Sequence, residues 1–147
     1  MEIFAVVYYS QAHYSFREEQ LIALARKAEE RNQRLGVTGF LQYRDGHFFQ
    51  YLEGKQYKVL TLLGHIKRDP RHTILRIVPL GELPTRYLDH WHMRYIGQHI
   101  LAQYDLIDLL HIVLDRISAG VYDQEILQRR ILRLVQKISA YDRRKEQ

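Results

Sequence analysis

Short apolar runs and amphipathic stretches alternate along the first two thirds of the chain. Residues 3–9 are apolar and aromatic, which is typical of a strand that is buried on both faces. Residues 16–33 carry apolar side chains at helical spacing. We expect this helix to begin at a capping box formed by Ser15 and Glu18 and to end at Gly36.

A β-hairpin is predicted directly after this helix. Residues 37–43 and 47–52 both have the composition of strands. The Asp45-Gly46 pair between them favours a tight turn, because both residue types tolerate positive φ. The two strands are therefore expected to pair in antiparallel fashion.

The next elements complete a recognisable fold class. A second helix is predicted over residues 59–66 and a strand over 74–79. Glycine and proline predict a loop over 80–89, and alternating polar and apolar side chains in 90–96 predict a fifth strand with one buried face. The order β-α-β-β-α-β-β indicates an α+β fold of the ferredoxin-like class.

Two amphipathic stripes follow, over residues 106–117 and 127–138, and Asp123 is a candidate helix cap. They predict a C-terminal αα-hairpin. We therefore divide the chain into a domain of residues 1–97 and a helical extension of residues 98–147. We expect the extension to act as a cap, an oligomerisation surface or an output element.

Composition narrows the classes of protein that fit. Hydrophobic residues make up 46% and charged residues 27%, as in globular proteins. The absence of cysteine excludes disulfides, thiolate metal sites and any adduct between cysteine and a cofactor. No apolar run is long enough to span a bilayer and the first residues lack the features of a signal peptide, so we expect a cytoplasmic protein without a membrane partner. The net charge of +5 is spread among acids, which argues against a nucleic-acid partner.

Two polar residues, Gln50 and Asn32, are candidates for binding a ligand. Gln50 falls between Phe48 and Leu52 on one face of a predicted strand, where its amide is satisfied either by Tyr8 or main chain, or by a ligand. Asn32 lies near the end of the first helix, where it is either a helix stop or a ligand-binding residue. The pattern of residues does not decide between these alternatives.

Other standard sites find little support. His90 and His92 lie two residues apart on one predicted strand face, but no third ligand is near in sequence, and we expect no metal site. The chain also lacks a Gly-x-Gly-x-x-Gly motif and a P-loop, the two common phosphate cradles.

Over residues 2–97 the chain resembles the BLUF family, sensors of blue light using FAD. Each motif is short, but together they occur in the family's order and spacing. The motifs are Val-Val-Tyr-Tyr-Ser at 6–10, Arg-Asn at 31–32, Gly-Val-Thr-Gly-Phe-Leu-Gln-Tyr at 36–43, Phe-Phe-Gln-Tyr-Leu-Glu-Gly at 48–54, Asp-Pro-Arg-His at 69–72 and Trp-His-Met at 91–93.

The resemblance implies a ferredoxin-like domain with non-covalently bound FAD. It implies that Tyr8 donates an electron and then a proton to the excited flavin, and that Gln50 lies between this tyrosine and the flavin ring. It also implies that Asn32 binds the edge of the ring. The Gln50 amide is then expected to rotate or tautomerise after illumination, without a bond to the protein.

The resemblance further implies two positions linked to signalling, Trp91 and Met93. Asp69, Arg71 and His72 match a stretch that approaches the pyrimidine edge and the ribityl chain in relatives. There are departures as well, because His65 and Ala28 stand where relatives often have Arg and Ser.

We therefore expect a photoreceptor rather than an enzyme, which forms a homo-oligomer and signals to an effector protein. Two alternatives stay open from the residues alone. One is a light-insensitive interaction module on the same fold. The other is a small hydrolase of the acylphosphatase type, although residues 10–13 lack the arginine and glycine-rich turn of a phosphate-binding loop.

Overall fold

A computed structural model describes residues 2–103 and 105–145, with side chains up to residue 140. Two compact units are distinguished, one extending to Ile96 and the other beginning at Gly97. In the first unit the elements are β1 (Ile3–Ala12), α1 (Glu18–Leu35), β2 (Thr38–Arg44), β3 (His47–Gly54), α2 (Gln56–Lys67), β4 (His72–Leu83) and β5 (Arg94–Tyr95). In the second they are α3 (Gln98–Gln103), α4 (Ile107–Ala119) and α5 (Gln124–Lys145).

The first unit is built on a sheet with strand order β4-β1-β3-β2-β5. Adjacent strands are antiparallel, except that β5 runs parallel to β2. The α+β, ferredoxin-like prediction is confirmed. The core that α1 and α2 share with one face of the sheet is mostly apolar and includes Val6, Leu21, Ala25, Leu41, Leu52, Val59, Leu62 and Leu63.

Local signals in the first half of the chain were largely reliable. Asp45 and Gly46 both have positive φ, of 49° and 77°, as a tight hairpin turn requires. Gly36 adopts the left-handed conformation at the end of α1, with φ of 69°. The predicted cap at Ser15 was wrong: the helix begins at Glu18, and the Gln20 side chain accepts a hydrogen bond from the Arg17 backbone N–H at 2.8 Å.

Two boundaries in the second half differ from the prediction. The predicted strand over 74–79 extends over His72–Leu83, so the loop expected from residue 80 begins later. The glycine signal misled because Gly81, with φ of 81°, lies beside a bulge in the pairing with β1 and does not end the strand. Pro79 is compatible with β4 because this strand is at the edge of the sheet.

The predicted strand over 90–96 is reduced to Arg94 and Tyr95. Trp91 and Met93 are buried, as their alternation suggested, but their backbone does not follow a regular ladder. Burial at alternate positions therefore arose here without an extended strand.

In the second unit the two predicted helices are present as α4 and α5, preceded by α3, which the pattern did not predict. Asp123 caps α5 through its carboxylate, which accepts a hydrogen bond from the Ile126 N–H at 3.0 Å. Most apolar positions of the two stripes are buried, among them Val113, Ile117 and Ile131, while Leu109 and Leu114 are half-buried. No helix among the described residues combines the length and apolar character needed to cross a membrane.

Candidate functional site

A cleft of about 360 Å³ opens between α1 and α2 on the helix-facing side of the sheet. Its volume lies within the range of small-molecule sites, roughly 300–1,000 Å³. The sheet contributes Tyr8, Leu41, Phe48 and Gln50 to its surface. The cleft therefore brings two of the predicted site residues to one place.

Tyr8 and Gln50 are direct neighbours across the β1–β3 ladder, where their Cα atoms are paired. Residues opposite each other on antiparallel strands point to the same face, so both side chains face the cleft. Leu41 is the partner of Gln50 on its other side. The register thus places the predicted photochemical pair in the middle of the sheet.

The Gln50 amide is buried but incompletely bonded. Its Nε2 donates to Met93 Sδ at 3.2 Å, which is its one hydrogen bond within the part of the chain that the structure describes. A thioether is a weak acceptor, and an amide can make several hydrogen bonds. Gln50 therefore keeps capacity for a ligand in the cleft.

The Tyr8 side chain is 4% exposed, and burial raises the pKa of its hydroxyl above the ordinary value. The nearby Arg31 guanidinium opposes this rise but does not cancel it. Within the described residues the hydroxyl has no hydrogen-bond partner. Tyr8 is therefore a protonated phenol that faces the cleft.

Asn32 is completely buried near the end of α1. Its Nδ2 has no hydrogen-bond partner within the described residues, and its Oδ1 has only a long contact of 3.5 Å from Arg31 Nε. A helix-stop role does not account for an unbonded side-chain donor, which costs about 1–3 kcal/mol when buried. Asn32 itself does not line the cleft in this conformation, but its neighbour Arg31 does.

The Gln50 and Asn32 amides lack partners of the kind that a flavin ring offers, because the edge of this ring carries both carbonyl and N–H groups. Gln50 and Asn32 each present a buried amide without its full set of partners. The residues present therefore fit the FAD that the motif resemblance implied.

Asp69, Arg71 and His72 all line the cleft, so the structure brings them together with Tyr8 and Gln50. Asp69 and Arg71 form an ion pair with an Nη2–Oδ2 distance of 2.5 Å. Hydrogen bonds from the Arg71 side chain lower the pKa of Asp69 to about 2. The same pairing raises the pKa of Arg71, so both groups are charged at neutral pH.

The two ring nitrogens of His72 are already engaged. Nε2 is 2.8 Å from the Ile66 carbonyl oxygen, which requires an N–H at this position, and Nδ1 then accepts from Ser10 Oγ at 2.8 Å. His72 is also edge-on to the Tyr8 ring, with centroids 5.8 Å apart. It therefore offers a ring surface to the cleft while its nitrogens tie α2 and β1 to β4.

The structure separates the two predicted signalling residues. Met93 lines the cleft and accepts the hydrogen bond from Gln50. Trp91 is buried outside the cleft, and the Arg94 guanidinium lies over its ring, 4.5 Å from the centroid. In this conformation methionine, and not tryptophan, is the neighbour of Gln50.

Sequence reasoning missed a basic surface on α1. Lys27, Arg31 and Arg34 all line the cleft, at positions i, i+4 and i+7 of the helix. This spacing is visible in the sequence, but basic residues at helical spacing are more typical of a solvated helix face. Ala28 and His65, the two departures from the family pattern, also line the cleft.

The histidine pair contributes nothing to this site. His90 is largely exposed and lies 3.7 Å from Asp89, while His92 Nδ1 is 3.3 Å from the Val37 carbonyl oxygen. Across the described residues, no group of three or more potential ligands has the geometry of a metal site.

Comparisons with known proteins agree with this geometry. The family described as "BLUF: Sensors of blue-light using FAD" matches residues 3–94, more than half of the chain. A "Photoactivated adenylate cyclase subunit beta" from Euglena longa is 34% identical over 100 residues, which cover 67% of this chain and 12% of that protein. The "Blue light- and temperature-regulated antirepressor BluF" of Escherichia coli (strain K12) is 31% identical over 118 residues, or 75% of this chain and 27% of that protein.

A solved structure supports the fold. "BlrB - a BLUF protein, dark state structure" has a TM-score of 0.69 at 24% identity, covering 95% of this chain and 97% of that one. The chain spans less than a third of the two curated relatives. Together with the family match, these findings establish that the chain belongs to the BLUF family, the sensors of blue light that use FAD.

Proposed function

We propose that the cleft holds the flavin ring of FAD and that Tyr8 and Gln50 convert the absorption of blue light into a change in hydrogen bonding. The observation that carries this proposal is the Gln50 amide. It is buried directly opposite Tyr8, and its one described hydrogen bond is to the weak acceptor Met93 Sδ.

When bound, FAD supplies a ring system that absorbs blue light and accepts an electron and a proton. Tyr8 holds its proton at Oη in the dark, because burial raises the pKa of this hydroxyl. Departure and return of that proton leave the neighbouring Gln50 amide rotated or tautomerised. The amide then exchanges its contact with Met93 for a stronger hydrogen bond.

Four further residues support the ring in this proposal. Asn32 supplies the buried amide that lacks a partner for Nδ2. Asp69 and Arg71 form a charged pair at the cleft, and His72 packs its ring beside Tyr8. These residues bind and orient the cofactor and exclude water, and Tyr8 and Gln50 perform the light-driven step.

Lys27, Arg31 and Arg34 are suited to the phosphate groups of FAD. Three cations on one helix face give the cleft a positive potential, which attracts an anionic ligand. Burial lowers the pKa of Arg31, but a guanidinium starts so high that it stays charged at neutral pH.

The chain is proposed to act as a cytoplasmic sensor without catalytic activity of its own, with residues 1–97 as the photosensory domain. Residues 98–147 are proposed to serve self-association or output. Ile112, Val121 and Ile126 in this part are 44%, 83% and 48% exposed, and exposed aliphatic side chains suit a protein contact. The antirepressor name of the Escherichia coli relative also supports a protein effector.

The test is an absorption spectrum of the purified full chain before and after blue illumination. We expect a yellow protein that releases FAD on denaturation, and a small, reversible red shift of the flavin bands. A protein that stays colourless after reconstitution with excess flavin would be the light-insensitive module. A protein that binds FAD but shows no shift would refute the proposed roles of Tyr8 and Gln50.

A further inference from the structure

A second buried polar centre lies on the opposite face of the sheet from the cleft. Glu53 is three residues after Gln50 on β3, so their side chains point to opposite faces. The Glu53 side chain is completely buried. A buried carboxylate is costly unless its oxygens are fully bonded, so its partners indicate what it does.

The carboxylate accepts two hydrogen bonds from the sheet and two from a loop. From the sheet, Tyr51 Oη donates to Oε1 at 2.7 Å and Thr38 Oγ1 donates to Oε2 at 2.8 Å. From the loop, the backbone N–H of Tyr87 donates to Oε1 at 2.9 Å and that of Leu88 to Oε2 at 3.0 Å. One side chain therefore fixes the position of two consecutive backbone groups.

Arg86 ties the same stretch of the loop to the sheet. Its Nη2 donates to the Gly36 carbonyl oxygen at 2.6 Å, and its Nη1 donates to Thr38 Oγ1 at 2.9 Å. The Thr38 hydroxyl thus accepts from Arg86 and donates to Glu53. Residues 86–88 are held by side chains, at a place where no regular strand pairing is available.

This anchor is close in sequence to the segment that touches Gln50. The Trp91 N–H donates to the Leu88 carbonyl oxygen at 3.1 Å, and the Gly39 N–H donates to the Trp91 carbonyl oxygen at 2.7 Å. Met93 then places its thioether on Gln50, and regular pairing resumes at Arg94. The segment 89–93, which carries both Trp91 and Met93, is therefore fixed at both ends.

We propose that Glu53 is a positioning residue for the light signal: by fixing the backbone at Tyr87 and Leu88, its carboxylate keeps Met93, and not Trp91, beside Gln50. This inference rests on the proposed function in one respect: it treats the Met93–Gln50 contact as part of the light signal. With the anchor weakened, residues 86–88 lose their fixed position, and the arrangement with Met93 on Gln50 loses population.

The main test is Glu53→Gln in the full chain with bound FAD. The amide keeps the size of the carboxylate, but its NH₂ group replaces an oxygen that accepts from one hydroxyl and one backbone N–H. The hydroxyl can turn to accept, so the backbone N–H of Tyr87 or Leu88 is left without its acceptor. Trp91 is the only tryptophan in the chain, so its fluorescence reports on this loop. We expect the ratio of the arrangement with Met93 on Gln50 to the arrangement with a displaced loop to fall by about fivefold. The change is measured in the dark as increased quenching of Trp91 fluorescence by acrylamide.

Tyr51→Phe is the matched control. It removes one donor from the same carboxylate, but a donor from the sheet and not from the loop. We expect a similar loss of stability with Trp91 quenching unchanged. Equal changes in Trp91 quenching for both variants would mean that Glu53 is merely structural, and no change in a folded Glu53→Gln protein would also overturn the proposal.

A second variant keeps the test decisive if Glu53→Gln does not fold. Arg86→Met removes the guanidinium that ties the same loop to Gly36 and Thr38, and we expect it to increase Trp91 quenching in the same direction. No increase in a folded Arg86→Met protein would overturn the proposal.

Kinetics separate this proposal from the proposed function. In Glu53→Gln, Tyr8 and Gln50 are intact, so the amplitude of the red shift is expected to persist while dark recovery becomes faster by about fivefold. Failure of the proposed function would appear as a wild-type protein without a red shift, whatever the result for Trp91. Unchanged recovery together with unchanged Trp91 quenching would overturn only the role of Glu53.

Discussion

Gln50 and Glu53 lie three residues apart on β3 and are both buried, yet their surroundings differ in kind. Gln50 faces the cleft with one weak hydrogen bond, to a thioether. Glu53 faces the other way and accepts four hydrogen bonds, which fill its carboxylate oxygens. Burial alone does not separate these two polar groups, whereas the completeness of their hydrogen bonding does.

Asn32 belongs with Gln50 in this comparison. Its buried Nδ2 has no partner within the described residues, so the protein alone leaves this donor unsatisfied. The cleft face of the sheet and the helix beside it therefore carry buried amides with few described partners, whereas the other face carries a closed polar network. Substitutions on the two faces are expected to separate function from stability.

The largest effect is expected for the light response itself. Tyr8→Phe removes the hydroxyl but keeps the ring, and Gln50→Glu keeps the size but replaces the amide. Both variants should fold and bind FAD, with stability changed by no more than about 1–2 kcal/mol. Both should lose the red shift entirely, as measured by difference spectra after blue illumination. A full, reversible shift in Tyr8→Phe would mean that another residue, with Tyr9 and Trp91 the first to examine, is the donor.

The next effect concerns stability and distinguishes the two faces directly. Glu53→Leu leaves four donors without their acceptor, so we expect the free energy of unfolding to fall by about 3–5 kcal/mol. Gln50→Leu removes an amide with a single weak partner and should change that free energy by less than about 1 kcal/mol. Urea denaturation of the flavin-free proteins measures both. Equal losses would contradict the distinction drawn between the two polar groups.

A smaller effect is expected at Asn32. Asn32→Leu removes the buried donor that lacks a protein partner, so the flavin-free protein should lose little or no stability. If this amide binds the ring edge, FAD affinity should weaken by about tenfold, measured by titration with fluorescence of free flavin. A variant with unchanged affinity would show that Asn32 ends the helix and nothing more.

The sequence predicted the cleft residues better than the polar network. Tyr8, Asn32 and Gln50 occur in motifs whose order and spacing pointed to them as site residues. The alignment of Tyr8 with Gln50 depends on the register between β1 and β3, which the residues alone do not specify. The role of Glu53 could not be read in the same way. It depends on where the irregular backbone of residues 86–88 lies, and no periodicity specifies that path.

The fifth strand shows the same limit. Trp91 and Met93 alternate with polar residues, which predicted a strand over 90–96, but hydrogen bonds to Gly39 and Leu88 hold the backbone out of a regular ladder. Burial at alternate positions was correct and the secondary structure was not. Which of the two residues meets Gln50 depends on this tertiary arrangement.

The smallest effect is a dependence of stability on pH at the edge of the cleft. Hydrogen bonds from Arg71 lower the pKa of Asp69 to about 2. Because the folded-state pKa is below the ordinary value of about 3.9, the pair stabilises the fold fully above that value and loses its effect as pH falls towards 2. The side chains of Arg71 and Asp69 are 44% and 26% exposed, so screening by solvent limits the contribution of the pair to about 1 kcal/mol at most.

Asp69→Asn isolates this contribution, because the amide oxygen still accepts from the Arg71 backbone N–H while the ionisable group is gone. We expect the unfolding free energy of the wild type to fall more steeply than that of the variant between about pH 4 and pH 2. Arg71→Gln should flatten the wild-type curve in the same direction, since the carboxyl loses the side-chain hydrogen bonds that most lower its pKa. Parallel curves for the wild type and both variants would mean that the Asp69–Arg71 pair orients groups at the cleft without stabilising the fold. In the comparison of the two faces, the pair would then resemble Gln50 and Asn32 and not Glu53.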